Sequence, residues 1–206
     1  MISGRKADWF SGSVISILLA CVLGSLAFLP ARADPSTRIE LTELMRMLSE
    51  VKEAGGRFTE RKYLSILSEP LVLKGSVRYR APDYLRKEYQ DPQSESYEVK
   101  GENLTIEFPD GRRRDLSIDD YPVLRAFVES YRATLAGDLE TLERYFSLEL
   151  SGDLDAWELR LTPRLAQLAD YLNAVIMRGH KSTVYSVETL EASGDRSVMV
   201  LDVPAE

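Results

Sequence analysis

Apolar and polar residues alternate along much of this chain, and the alternation predicts a sheet built from short strands. The clearest example is Leu71–Tyr89, in which Leu73, Val77 and Tyr79 alternate with basic residues until Pro82 interrupts the pattern. A period of two places successive side chains on opposite faces of a strand, here one apolar and one charged. Such a strand belongs to an antiparallel sheet that has one covered face.

Further runs with the same period follow along the chain, separated by turns such as Pro109-Asp110-Gly111. Together they predict an antiparallel meander of about nine to eleven strands. The predicted strands are Arg57–Ile66, Leu71–Ala81, Tyr84–Tyr89, Tyr97–Lys100, Asn103–Phe108, Arg112–Ile118, Phe146–Leu150, Trp157–Leu161, Leu172–Arg178, Thr183–Glu191 and Ser197–Val203.

A helix is predicted before the first strand. Thr37 and Glu40 have the spacing of a capping box, and Leu41–Val51 carries an apolar stripe at helical spacing. Gly55-Gly56 is predicted to end this helix, because glycine is favoured just beyond a helix C-terminus.

A pair of helices is predicted in the middle of the chain, where it interrupts the sheet. Asp120 has the position of an N-cap, and Pro122 has that of a first helical residue. Gly137 is predicted to end the first helix and Asp138 to cap the second. A further short helical turn is predicted within residues 162–169.

Residues 1–33 have the layout of a cleavable secretory signal peptide. Arg5 and Lys6 precede an apolar run from Val14 to Leu29, and Ala31-Arg32-Ala33 supplies a small-x-small cleavage pattern. We therefore expect export to the periplasm and a single mature domain at residues 34–206.

Two other interpretations of this segment are weaker. The apolar run is short for a retained membrane anchor. Cys21 lies in a segment that resembles a lipoprotein box, but the residues after it are still apolar, whereas a mature lipoprotein normally turns polar at once. Lipidation of Cys21 is therefore the less favoured alternative.

Composition excludes several classes of function. The whole chain has a net charge of −7, and residues 1–33 contribute an excess of positive charge, so residues 34–206 are more acidic still. A nucleic-acid partner is not expected, because phosphate contacts need a surplus of Lys and Arg. Arg112-Arg113-Arg114 is the only basic run, and it fits a solvated strand end better than a headgroup contact.

The residues do not indicate an enzyme, a metal site or a cofactor. His180 is the only histidine and lies in a predicted turn, and the only cysteine precedes residue 34. A catalytic base needs an oriented partner, and a His/Cys metal site needs several ligands. Asp119-Asp120 is better explained as helix capping than as a catalytic carboxylate pair.

The order of these elements, together with two motifs, resembles the LolA-type family of outer-membrane lipoprotein carriers. The first motif is the strand Gly75–Pro82, which has the pattern G-x-(apolar)-x-(aromatic)-x-x-P. The second is the W-x-L-x-L-x-P run Trp157–Pro163. The resemblance covers essentially all of residues 34–206.

This resemblance implies an α+β, mainly β fold: a strongly curved antiparallel sheet forming an unclosed β-barrel, with an N-terminal helix and a central helical lid. It also implies a monomeric periplasmic carrier or chaperone whose hydrophobic cavity holds acyl chains of lipoproteins or other lipidic cargo. Such a carrier moves its cargo from the inner to the outer membrane. An inner-membrane export complex would load it, and an outer-membrane acceptor would unload it.

The resemblance further implies that apolar residues of the sheet and of the lid bind lipid. The candidates are Leu44, Leu48, Phe58, Val77, Tyr79, Ala81, Leu85, Tyr97, Leu104, Ile106, Phe108, Phe127, Val128, Tyr131, Trp157 and Leu159. Periodicity alone does not distinguish a cavity lined by these residues from a filled core.

Ala81 departs from the pattern of the lipoprotein carriers, in which an arginine usually precedes this proline and ties the lid shut. The sequence therefore does not determine how the lid is controlled. It also does not determine whether the cargo is a lipoprotein or another lipid or pigment precursor. A lipid-sensing module of the same fold that regulates a partner is the main alternative. A lipid-ester hydrolase is the second, although the chain lacks a His-based triad.

Overall fold

The computed structural model describes residues 39–202. The predicted signal peptide at residues 1–33, Cys21, and the Thr37 side of the predicted capping box all lie outside the described residues. The first helix begins at Leu41, and its N-cap residue Glu40 makes no side-chain capping bond.

An eleven-stranded antiparallel sheet forms the body of the protein. Its strands lie in the order β6-β5-β4-β3-β2-β1-β11-β10-β9-β8-β7, so β6 and β7 are the free edges and the sheet does not close into a barrel. The mainly β, unclosed fold predicted from sequence is therefore confirmed. The strands are β1 Glu53–Tyr63, β2 Leu71–Arg80, β3 Tyr84–Asp91, β4 Glu95–Lys100, β5 Asn103–Glu107, β6 Arg113–Ser117, β7 Phe146–Gly152, β8 Trp157–Pro163, β9 Leu172–His180, β10 Thr183–Glu191 and β11 Arg196–Leu201.

The two faces of the sheet differ in chemistry. The face that carries Phe58, Tyr89 and Trp157 is apolar and packs against the helices, and we call it the inner face. The opposite, outer face is polar: Arg86 Nη1 lies 3.1 Å from Glu98 Oε2 of the neighbouring strand. The alternation in the sequence thus separates a covered face from a solvated one.

The prediction that Gly55-Gly56 ends the first helix is wrong. The helix ends at Ser49, and both glycines lie inside β1. A Cβ atom on Gly55 would stand 2.4 Å from the carbonyl oxygen of Val77 in β2, so glycine is needed here for close strand approach. Glycine permits both a helix end and a close backbone contact, and only the cross-strand partner distinguishes the two.

Four α-helices accompany the sheet among residues 39–202. Gly137 has the left-handed conformation (φ 66°) expected of a helix C-terminus, and Asp138 accepts a hydrogen bond of 3.0 Å from the Thr141 amide. The predictions that Gly137 ends the first central helix and that Asp138 caps the second are therefore confirmed. Tyr121, not Asp120, is the N-cap residue of the second helix, because Ile118–Asp120 forms a separate 3-10 turn. The helices are α1 Leu41–Ser49, α2 Pro122–Ala136, α3 Leu139–Tyr145 and α4 Ala166–Ala169.

Helices α1 and α2 pack closely through small residues. Ala133 and Thr134 of α2 are buried, and a Cβ atom on Gly137 would stand only 2.0 Å from the carbonyl oxygen of Met45 in α1. Large side chains at these positions would push the two helices apart. The helices therefore form a layer on the inner face, and the segment that contains α2 and α3 joins the two edge strands β6 and β7.

Candidate functional site

The inner face is not covered evenly by the helical layer. In the β7–β10 half of the sheet, Leu159, Leu161 and Val175 are completely buried. In the β2–β6 half, Val77 and Tyr97 are only half-buried although both belong to the apolar face. The second half therefore offers an apolar wall that the protein's own side chains cover incompletely.

Most of the predicted lipid-binding residues lie together on this face or on the helices that face it. Register places Val77, Tyr97 and Ile106 side by side across β2–β5, through Lys87 of β3. The inner-face residues of the prediction are Phe58, Val77, Tyr79, Leu85, Tyr97, Leu104, Ile106, Trp157 and Leu159, and the helical ones are Leu44, Leu48, Phe127, Val128 and Tyr131. Their role in binding lipid stays a prediction.

Phe108 and Ala81 lie at the ends of strands. Phe108 follows β5, stacks against the Arg112 guanidinium at 5.3 Å and lines a polar pocket of about 320 Å³ with outer-face residues such as Arg86 and Glu107. The alternating sequence pattern includes Phe108, but β5 ends at Glu107 and the turn after it redirects the chain. Ala81 follows β2, where its amide donates a 2.9 Å hydrogen bond to the carbonyl of Lys52.

Helix α2 presents two aromatic side chains to the inner face. Phe127 and Tyr131 lie one turn apart, with ring centroids separated by 5.3 Å in an edge-to-face arrangement, and both are half-buried. On the neighbouring side of the helix, Val128 packs with Val99 and Leu104 of the sheet. The helix thus packs on the β4–β6 part of the wall with the apolar stripe that its sequence predicted.

An arginine of α2 connects this helix to the rim of the sheet. Arg132 Nη1 donates a 3.1 Å hydrogen bond to the carbonyl oxygen of Gly101, in the β4–β5 turn, and lies 3.3 Å from Glu129 Oε1. The Arg132 side chain is only 13 % exposed. In this chain, then, an arginine that links helix and sheet stands on the helix, whereas position 81 holds alanine.

A buried polar cluster interrupts the apolar inner face, and sequence reasoning missed it. Glu60 Oε2 accepts a 2.8 Å hydrogen bond from Lys87 Nζ and a 2.7 Å hydrogen bond from the Tyr89 hydroxyl. The Glu60 side chain is 4 % exposed and that of Lys87 27 %. Lys62, two residues after Glu60, reaches the Tyr89 ring with its ammonium 5.6 Å from the centroid. We call Glu60, Lys62, Lys87 and Tyr89 the inner polar cluster.

Burial and charge act in opposite directions on Glu60. Burial by itself would raise the pKa of its carboxyl, but the ammonium of Lys87, the Tyr89 hydroxyl and the charge of Lys62 outweigh it and hold the pKa below its ordinary value. Glu60 is therefore ionised at neutral pH. Burial lowers the pKa of Lys87, an effect that the Glu60 carboxylate opposes.

The neighbouring tyrosines stay protonated. Burial raises the pKa of Tyr89, and the Glu60 charge adds to the effect. Burial also raises the pKa of Tyr131 on α2 to about 12, with a smaller contribution from the Glu60 charge. The Glu60 charge thus acts on a tyrosine of α2 as well as on Tyr89.

Other candidate residues are placed apart from this wall. His180 ends β9, half-exposed, with Nε2 3.3 Å from Asp155 Oδ1. Asp119 forms an ion pair with Arg125 beside the start of α2. Among residues 39–202, no group of three or more His, Cys, Asp and Glu side chains is arranged to hold a metal ion. Within the same residues, no helix combines the length and apolar character needed to cross a membrane.

The sequence matches the family described as "Outer membrane lipoprotein carrier protein LolA-like" over residues 33–206. The chain therefore belongs to the LolA-like family, as the resemblance indicated. No curated protein matches it.

Solved structures give distant matches. A LolA superfamily protein, NE2245 from Nitrosomonas europaea, is 11% identical, with a TM-score of 0.41 over 81% of this chain and 96% of that chain. A DUF1329 family protein from Desulfovibrio piger is 11% identical, with a TM-score of 0.43 over 81% and 92%. The MucA/MucB complex of Pseudomonas aeruginosa gives 16% identity and a TM-score of 0.42 over 81% and 59%.

Proposed function

We propose that residues 34–206 act in the periplasm as a carrier that holds the acyl chains of lipoproteins or other lipids between the inner face of the sheet and helix α2. The observation that carries the proposal is the incomplete cover of the β2–β6 wall, where Val77, Tyr97 and the α2 residues Phe127 and Tyr131 are all half-buried. Membership of a family described by lipoprotein carriage supports it.

The chemistry of this wall suits a carrier. An acyl chain that enters it leaves water, and each methylene buried in this way contributes about 0.8 kcal/mol. Such transfer is strong in total but has little directional preference, so the cargo is held without being fixed in one pose. Release then depends on movement of α2 away from the wall.

Binding is tested on the protein secreted from cells that express the full chain. We expect lipid extraction and mass spectrometry to detect bound acyl lipid, and an added fluorescent fatty acid to bind and be displaced by that lipid. Val77→Asp places a charge on the inner wall and should weaken probe binding at least tenfold. Val72→Asp is the matched control, because Val72 lies on the same strand, 41% exposed, and on the outer face.

Loss of binding in both aspartate variants, or in neither, would contradict an inner-face site. Absence of both bound lipid and probe binding in the unaltered protein would refute the carrier proposal altogether. Transfer between membranes is tested by cross-linking in cells. A carrier should form adducts with one inner-membrane and one outer-membrane protein, whereas a sensing module should form them with a single regulator.

A further inference from the structure

The inner polar cluster stands where an apolar side chain would pack at lower cost. Across the strands, Glu60 lies opposite Leu73 and Met199, and Lys87 lies opposite Val77. Replacing a buried ion pair by apolar residues of similar size is often neutral or stabilising, so the pair is weak evidence for a purely structural role. Its position on the proposed acyl-binding wall suggests a function in binding.

Lys87 is held in a defined place by its surroundings. Its ammonium lies 5.0 Å from the centroid of the Phe58 ring and 4.9 Å from that of the Tyr89 ring, in addition to the hydrogen bond to Glu60. An ammonium has three donors and attracts the faces of aromatic rings. The Lys87 ammonium thus has a defined position between a carboxylate and two rings, while 27% of the side chain as a whole is exposed.

The two lysines of the cluster differ in their partners. Glu60 is hydrogen-bonded to Lys87, whereas the structure shows no ion pair of Lys62 within 4 Å among residues 39–202. A second carboxylate, Glu95, faces the same side of the sheet opposite Tyr89. Lys62 is therefore the cation of the cluster that remains able to pair with an anion. On a wall of low polarity, such a charge attracts an anion much more strongly than it would in water.

We infer that the inner polar cluster binds the anionic headgroup, a carboxylate or a phosphate, of an acyl lipid whose chain lies along the β2–β6 wall. The inference rests on the proposed carrier function and gives the cargo a chemical class. Lys62 and Lys87 supply the positive charge, and Glu60 orients Lys87. The Tyr89 hydroxyl is engaged by Glu60 and positions that carboxylate.

The test compares ligands that share a chain and differ in charge. One pair is dansyl-undecanoic acid and its methyl ester, and the other is phosphatidylglycerol and diacylglycerol with the same acyl chains, used as competitors. We expect the protein to prefer the anionic member of at least one pair about tenfold or more. The pair that shows the preference identifies the carboxylate or the phosphate as the preferred group.

The matched variants are Lys62→Gln and Lys74→Gln. Lys62→Gln leaves the Glu60–Lys87 ion pair in place and should reduce the preference for the anion about fivefold without changing affinity for the neutral partner. Lys74 lies on the outer face of β2 and is exposed, so Lys74→Gln should change neither affinity. Added salt should reduce the preference of the unaltered protein.

Equal affinity for the charged and neutral members of both pairs, with measurable binding, would overturn the headgroup inference and leave the carrier proposal intact. An anion preference that survives Lys62→Gln and Lys87→Met, in protein whose far-ultraviolet circular dichroism is unchanged, would also overturn it. Failure of every probe to bind would instead refute the carrier proposal.

Discussion

Removal of the hydrogen bond between Arg132 and Gly101 should loosen the cover of the inner wall. The bond joins a charged guanidinium to a backbone carbonyl at 3.1 Å, and the arginine is 13% exposed. A hydrogen bond to a charged group contributes about 1.5 to 3 kcal/mol. If the bond exists only while α2 covers the wall, Arg132→Met increases the open fraction by roughly 10- to 100-fold, at 1.4 kcal/mol per factor of ten.

The measurement combines hydrogen exchange with the kinetics of ligand release. Amides of α2 should exchange faster in Arg132→Met by the same factor, and a bound fluorescent fatty acid should leave faster, while amides of β8 and β9 are unchanged. Methionine keeps much of the aliphatic bulk of arginine, so packing changes little.

Arg144→Met is the matched control for this experiment. Arg144 lies on α3, is 63% exposed and pairs with exposed Glu140 at 3.8 Å, which contributes about 0.5 kcal/mol or less. It should leave α2 exchange unchanged. The reasoning is refuted if Arg132→Met lowers global stability without accelerating α2 exchange, because the bond would then be intact in both covered and open states.

Two further predictions concern the sheet. Gly55→Ala should lower the free energy of unfolding by about 2 kcal/mol, because its Cβ atom would meet the Val77 carbonyl. Gly56→Ala should change the free energy of unfolding by less than about 0.5 kcal/mol, since the atom nearest to its Cβ stands at 3.4 Å. Equal urea midpoints for the two variants would contradict this reasoning. Glu60→Gln should destabilise the protein at pH 7. Because the folded-state pKa of Glu60 is lowered, its contribution to stability is present above the unfolded pKa of about 4.3 and is lost as pH falls through the folded value. The urea midpoints of Glu60→Gln and unaltered protein should therefore approach each other as pH falls below about 4. A difference that is constant with pH would exclude this role for the ionised carboxylate.

Elements with local signals were predictable from the sequence. Pro122, Gly137 and Asp138 mark the bounds of α2 and α3 through backbone geometry and capping, which depend on few neighbours. Strand alternation gave the inner face correctly because a one-residue shift would expose every apolar side chain at once. The family resemblance then supplied the open barrel, which alternation alone does not determine.

The features that sequence reasoning missed depend on residues far apart in the chain. Lys87 meets Glu60 across two strand pairings, and a glutamate between polar neighbours suggests a solvated strand. The sequence did contain one signal for Glu60: it follows Phe58 by two residues, and side chains two residues apart on a strand share a face, here the inner one. Arg132 was missed for a related reason, since its partner is a backbone carbonyl, which leaves no trace in the sequence.

The chain order of the sheet has a mechanical consequence. Strands β6 and β7, at the two ends of the row, are consecutive in sequence, and the segment 118–145 with α2 and α3 is the covalent link between them. The sheet and this helical segment together form a closed ring around the interior. Ten hydrogen-bonded strand pairings make up the rigid part of the ring, and the helical segment, held by side-chain contacts, makes up the more deformable part. In the proposed carrier, a bulky cargo that widens this ring would move α2 and α3 before it separates the strands, so the displacement of these helices should increase with cargo size.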